Sequence, residues 1–182
     1  MKEYVRTILD YPVKGIKFRD ITTLLQNSKH FNRVIDEMTE PWKNEKIDAI
    51  LSIESRGFIM AGAIAYNLNT AFVPLRKPDK LPGETYKVAY TLEYGSTDMH
   101  IHKDALDDHT NLLIIDDLLA TGGTVLAALH LIKNFGTLTL PGYHLHLIDG
   151  PEKCKRRAID TIITIMNSTK KYDLLCDIKF DK

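Results

Sequence analysis

Asn111-Leu112-Leu113-Ile114-Ile115-Asp116-Asp117-Leu118-Leu119-Ala120-Thr121-Gly122-Gly123-Thr124 decides how the rest of the chain is read. It opens as a near-continuous apolar run, the pattern of a parallel strand buried on both faces. Two adjacent carboxylates end the run, and a loop of small and hydroxyl residues follows. Val125, Leu126, Leu129 and Ile132 then recur at helical spacing, and Gly136 stands where a helix-ending glycine would.

A strand, an acidic pair, a Thr-Gly-Gly-Thr loop and a helix suit a sugar phosphate. The glycines leave backbone N–H groups open to close approach, and the helix N-terminus adds partial positive charge, so a phosphate can bind there without a lysine. Thr121 and Thr124 add hydroxyl donors. Ionised Asp116 and Asp117 accept hydrogen bonds only, which suits ribose hydroxyls or the water shell of a metal. The plain alternative is an ordinary strand–loop–helix turn with a solvated acidic edge. Two aspartates directly on a strand end favour the ligand site. No G-x-x-x-x-G-K-[ST] occurs, and no G-x-G-x-x-G follows a strand, so the usual P-loop and dinucleotide folds have no support.

Around this stretch lie 182 residues, enough for one domain with a sizeable core. Lysine plus arginine and aspartate plus glutamate number 24 each, giving no net charge, and no long basic run is present. Nucleic acid is therefore not the expected partner. Cys154 and Cys176 match no disulfide or metal framework. No leader pattern or apolar run of membrane length is read, so a cytoplasmic protein without membrane contact is expected.

Residues 2–9 read as a short helix. Tyr11-Pro12-Val13-Lys14-Gly15 is turn chemistry. Composition alone makes Phe18, in the short segment that follows, a core or staple contact. Ser28 reads as an N-cap, and Phe31, Val34, Ile35, Met38 and Trp42 form one apolar helix face. Residues 47–53 read as a strand ending in Glu54-Ser55-Arg56-Gly57, and residues 58–68 as a helix closed by Asn69. Arg56 suits phosphate oxygens; pairing with Glu54 at the surface explains it about as well. Residues 71–75 read as a strand. Arg76-Lys77-Pro78-Asp79-Lys80-Leu81-Pro82-Gly83-Glu84 is either a disordered loop or a lid that brings cations over an anion. Alternation around Val88–Leu92 and Met99–Ile101 reads as an antiparallel hairpin, with His100 and His102 as solvated strand residues rather than metal ligands. Further on come a strand over 143–148, a helix over 152–157, a strand over 159–165 and a polar tail. Strands alternating with helices give a parallel α/β sheet, whose ligands bind beyond the carboxyl ends of the strands.

Gly15-Ile16-Lys17-Phe18-Arg19-Asp20-Ile21-Thr22, Glu54-Ser55-Arg56-Gly57-Phe58, Lys80-Leu81-Pro82-Gly83-Glu84-Thr85, Leu92-Glu93-Tyr94-Gly95 and His102-Lys103-Asp104-Ala105 join the Asp116–Thr124 stretch in order and spacing. Together they resemble the adenine phosphoribosyltransferase family. The likeness is read as far as Phe135; Pro141-Gly142, His144, His146 and Asp149-Gly150-Pro151 depart from its pattern. The resemblance implies the type I phosphoribosyltransferase fold, a central mostly parallel sheet flanked by helices. It implies a single domain over 1–182, with a small hood at about 1–25 and a mobile lid hairpin at about 76–102. The implied reaction joins adenine to phosphoribosyl pyrophosphate (PRPP), giving AMP and pyrophosphate.

By the same resemblance, Ala120, Thr121, Gly122, Gly123 and Thr124 hold the 5′-phosphate, and Asp116 and Asp117 the ribose. Ser55, Arg56, Arg76, Lys77 and Lys80 take the pyrophosphate. Phe18 stacks on adenine with Leu118 opposite, and the backbone at Lys17 and Arg19 reads the base edge. Glu93, Tyr94 and Arg56 are the catalytic candidates. Mg²⁺ is expected to arrive through PRPP and water rather than on protein ligands. A non-proline cis peptide near Glu54–Arg56 and a homodimer are also implied. The rival readings are a 6-oxopurine enzyme and a non-catalytic PRPP-sensing regulator; the latter would be expected to carry a nucleic-acid-binding module or a basic face.

Overall fold

A computed structural model describes residues 4–92, 95–106, 111–117, 123–135 and 142–146. Strands β1 (Arg6–Leu9) and β2 (Lys17–Asp20) form an antiparallel hairpin with Ile8 opposite Phe18. The helix expected over residues 2–9 is therefore corrected to a strand at its C-terminal half. The β-branched Thr7 and Ile8 favour a strand, and cross-strand partners fix it: Arg6 reaches Asp20, and Arg19 Nη1 donates to Thr7 Oγ1. The connecting turn uses Asp10 and Gly15 at φ +57° and +90°, and the Gly15 N–H donates to Asp10 Oδ1 at 2.6 Å.

After the short helix α1 (Thr22–Leu25), α2 (Ser28–Thr39) starts one residue after its cap. The cap is Asn27 rather than Ser28, because the Asn27 side chain accepts from the backbone N–H groups of Lys29 and His30. Its expected apolar face is real. Val34, Ile35 and Met38 are buried, Phe31 is half-buried, and Trp42 is buried on a following 3₁₀ turn.

The central sheet runs β4–β3–β7–β8, all parallel. Its strands are β3 (Ala49–Ile53), β4 (Ala71–Leu75), β7 (Asn111–Ile115) and β8 (Gly142–His146). Pro74 lies on β4, an edge strand among the described residues, where a missing N–H is tolerated. Helix α3 (Gly57–Leu68) crosses from β3 to β4 and ends at Asn69 in the left-handed region, as expected. The hairpin β5 (Thr85–Leu92) and β6 (Gly95–His102) is antiparallel, also as expected. Helix α4 (Gly123–Ile132) follows the loop after β7.

Strand alternation sorts the core onto two faces. Ala49, Leu51, Ile53, Leu112 and Ile114 pack with α4, Met99 and Ile101, while Ile50, Leu113 and Ile115 pack with α2 and α3. Ile53 pairs with Leu75 and Ser52 with Ile115, so three loops leave the same edge of the sheet. Among the described residues no helix is long and apolar enough to cross a membrane. The helix and strand expected over 152–165 lie outside the described residues.

Candidate active site

The first loop at this edge carries the expected cis peptide, at Glu54–Ser55. Gly57 follows, tight against the sheet. A Cβ there would stand 2.4 Å from Ser52 Oγ, 2.9 Å from Asp116 Oδ1 and 3.3 Å from the Ile115 carbonyl. Ser52 is itself held, donating to the Ile115 carbonyl at 2.7 Å while fully buried. The start of α3 is thereby pressed onto the end of β7, which brings Arg56 to the acidic pair.

Arg56 does not pair with Glu54. Its Nε lies 2.9 Å from Asp117 Oδ2, its Nη1 donates to the Arg19 carbonyl at 3.3 Å, and its Cζ stands 5.8 Å from the centre of the Phe18 ring. Phe18 is half-buried and meets Tyr11 edge-on at 5.1 Å. The core contact that composition suggested for Phe18 is thus an aromatic ring facing a cation.

Glu54 turns to the second loop instead. Its Oε2 accepts from Arg76 Nε at 2.9 Å and from the Lys77 N–H at 3.1 Å. Burial raises the Glu54 carboxyl, but these two donors outweigh it and leave the group below its usual range. Arg76 also donates to the Lys80 carbonyl at 3.3 Å, stands 6.0 Å over Phe58 and exchanges backbone hydrogen bonds with His100. The loop is tied to the body of the protein through these contacts, while the Lys77 and Lys80 side chains and Ser55 face solvent. His100 and His102 are not simply solvated: His100 Nδ1 is 3.1 Å from Thr85 Oγ1, and His102 Nε2 is 2.7 Å from the Pro82 carbonyl.

At the third loop Asp117 is only 4% exposed, with its carboxylate against Arg56 rather than open to solvent. Asp116 Oδ1 accepts the Asp117 N–H at 2.9 Å. Burial first, and the neighbouring Asp117 charge second, push the Asp116 carboxyl up to about 8. Gly123 and Thr124 open the first turn of α4. Leu118, Ala120, Thr121, Gly122, Glu93 and Tyr94 lie outside the described residues. Among the described residues no group of three or more His, Cys, Asp or Glu side chains could hold a metal.

Two residues of this edge were not singled out by their sequence. Ser52 is a lone hydroxyl in an apolar strand, a signal that could have been used. Asp20 is a buried carboxylate that accepts from the Thr22 N–H and hydroxyl at 2.9 and 2.7 Å and from Arg6 Nε at 3.0 Å. These donors, Thr22 and then Arg6, hold Asp20 down to about 2. Its Asp-x-Thr spacing is turn chemistry, and it anchors the hairpin that carries Lys17, Phe18 and Arg19.

Residues 20–170 match the phosphoribosyl transferase domain, which extends the likeness well past Phe135. The chain is 45% identical over 161 residues to the adenine phosphoribosyltransferase of Bradyrhizobium sp. strain ORS 278, covering 88% of this chain and 90% of that one. Among solved structures it resembles the adenine phosphoribosyltransferase of Thermoanaerobacter pseudethanolicus, with a TM-score of 0.78, 38% identity and 96% and 95% of the two chains covered. It also resembles the Giardia lamblia enzyme complexed with 9-deazaadenine, with a TM-score of 0.81, 33% identity and 93% and 92% covered.

Proposed function

The chain belongs to the adenine phosphoribosyltransferase family of the type I phosphoribosyltransferases, and on that premise we propose that it transfers the 5-phosphoribosyl group of PRPP to adenine, giving AMP and pyrophosphate in purine salvage. One observation of this structure carries the reading. Arg56 touches, at a single point, an aromatic ring on the N-terminal hairpin, the backbone beside it and a carboxylate after β7. An aromatic face for a base, acceptors for a ribose and a cation for pyrophosphate thus meet at the carboxyl edge of a parallel sheet.

In this proposal the first turn of α4, with Thr124, and residues 120–123 hold the 5′-phosphate against the helix N-terminus. Asp116 and Asp117 accept the ribose hydroxyls and lie beside the positive charge that develops at C1 as its bond to pyrophosphate breaks. Arg56, with Arg76, Lys77, Lys80 and Ser55, takes the charge that leaves. Phe18 and Leu118 sandwich the adenine ring, and Glu93, beside Tyr94, handles the proton lost from the base. Closure of residues 76–102 keeps water from trapping C1. Two carboxylates are too few for a protein metal cage, but they fit a Mg²⁺ that arrives on the substrate and keeps its waters. Its contribution when bound is to neutralise the pyrophosphate. A homodimer is part of the proposal, supported by an uncharged helix, α3, that exposes Ile59 and Tyr66. A cytoplasmic location is the remaining part.

The choice of base follows from hydrogen-bond polarity. A carbonyl near Lys17 accepting the adenine amine, and an N–H near Arg19 donating to N1, both mismatch hypoxanthine. Sites built around such a bond reject the mismatched analogue by about 10⁴–10⁵. The test is kcat/KM for adenine, hypoxanthine and guanine at saturating PRPP. Adenine is expected to lead by far, and a 6-oxopurine within tenfold would replace this assignment.

A further inference from the structure

The three partners of Arg56 have separate tasks in the reading above. Phe18 is to stack on the base, the backbone at Arg19 to read its edge, and Asp117 to hold the ribose. Arg56 now engages all three, at 5.8 Å from the ring centre, 3.3 Å from the carbonyl and 2.9 Å from the carboxylate. A guanidinium is flat and stacks on an aromatic ring much as a base does. Tyr11 already meets the Phe18 ring edge-on, so the ring has both an aromatic and a cationic neighbour.

We propose that Arg56 is a built-in plug of the base subsite, seated at Phe18 until a polyanion draws it away. The proposal rests on the adenine and PRPP reading. Adenine alone is neutral. It can replace the guanidinium on Phe18 but leaves buried Asp117 without its counter-charge, which is strongly unfavourable. A pyrophosphate group offers the arginine bidentate, doubly anionic contacts, and ribose hydroxyls offer Asp117 new donors. PRPP supplies both, and the base supplies neither. The arginine that is to bind the leaving group therefore also keeps the base out until that group is present.

Adenine binding to the whole protein, measured by titration calorimetry, tests the plug. For the unmodified protein, magnesium pyrophosphate is expected to tighten adenine binding at least tenfold. Arg56→Ala combined with Asp117→Asn leaves no orphaned charge. It should bind adenine at least tenfold more tightly than the unmodified protein without pyrophosphate, and pyrophosphate should add nothing. Arg56→Gln is a second, milder variant with the same expected direction. Adding Phe18→Ala to either should remove the gain. If neither Arg56 variant binds adenine more tightly, the plug is overturned. AMP formation by the unmodified protein separates the two failures: AMP formed with unchanged adenine affinity removes only the plug, whereas no AMP removes the reading and the plug with it.

Discussion

Asp116 shows most directly how the site differs from its sequence pattern. Its carboxyl is pushed up to about 8, by burial first and by the Asp117 charge second. In the unfolded chain it titrates near the usual 3.8. As pH rises between these values the unfolded state loses the proton and the folded state keeps it, so stability falls. Asp116→Asn removes the titration, and Asn can still accept the Asp117 N–H. The melting temperature of the variant relative to the unmodified protein should therefore be near zero difference at pH 4 and rise toward pH 8, exceeding about 3 °C for a domain of this size. A flat difference from pH 4 to 8 would show that the carboxyl is not raised. With Asp117→Asn added, turnover should fall close to background while a cooperative melt survives. Gly57 is the second sensitive residue. Its added Cβ would meet a short, buried serine that is already hydrogen bonded, along with Asp116 and the Ile115 carbonyl. Overpacking of this kind costs about 1–3 kcal/mol. Gly57→Ala should lower the melting temperature and activity together, and Ser52→Ala in the same chain should restore part of both. A melt like that of the unmodified protein would mean that α3 shifts freely away from β7.

At the scale of elements, loop 76–84 matters most because its attachment is electrostatic. Glu54 holds Arg76 and the Lys77 N–H, and Arg76 reaches back to Lys80. Replacing Glu54 with Gln removes the charge that Arg76 pairs with. Trypsin should then cut faster after Lys80, the exposed basic residue of the loop not followed by proline. PRPP with Mg²⁺ should slow that cut in the unmodified protein, because the same cations would be drawn onto the substrate. Equal rates with and without ligand would remove the lid from the mechanism. The N-terminal hairpin is held in a different way, by a buried carboxylate. Asp20 is kept down near 2 by Thr22 and Arg6, so its contribution is present above about pH 4 and is lost as pH falls toward 2. Asp20→Asn should raise the KM for adenine more than that for PRPP, since in the proposed reaction the hairpin carries the residues that face the base. Equal changes in both would mean that Asp20 serves stability alone.

For the whole molecule, the exposed side of α3 is the feature that a single chain leaves unexplained. Twelve residues carry no charge, Tyr66 is 87% and Ile59 46% exposed, and Phe72 of β4, itself exposed, meets Phe58 of the same helix. Uncovered apolar area of this kind marks an interaction surface. A second copy of the chain is the occupant in the proposed homodimer. Light scattering should give twice the chain mass for the unmodified protein. Ile59→Asp with Tyr66→Glu should give a folded monomer. A dimer in the double variant would move the interface elsewhere.

The sequence by itself determined what depends on local pattern. Apolar periodicity located α2, α3, β3, β4 and β7, and the strand–acid–glycine–helix order placed Asp116 and Asp117 at the end of a parallel strand. Asn69 ended its helix because that position favours a residue tolerant of the left-handed region. Contacts between distant segments followed a different logic. Residues 6–9 mix helix-favouring Arg6 and Leu9 with β-branched Thr7 and Ile8, and became a strand because Asp20 and Phe18 lay opposite them. Arg56 took Asp117 rather than Glu54, because Glu54 was claimed by Arg76. The Asp116 carboxyl is raised because burial, and then the Asp117 charge beside it, disfavour its ionised form. Pairing partners and solvent exclusion are properties of which segments meet, and only the folded chain decides them.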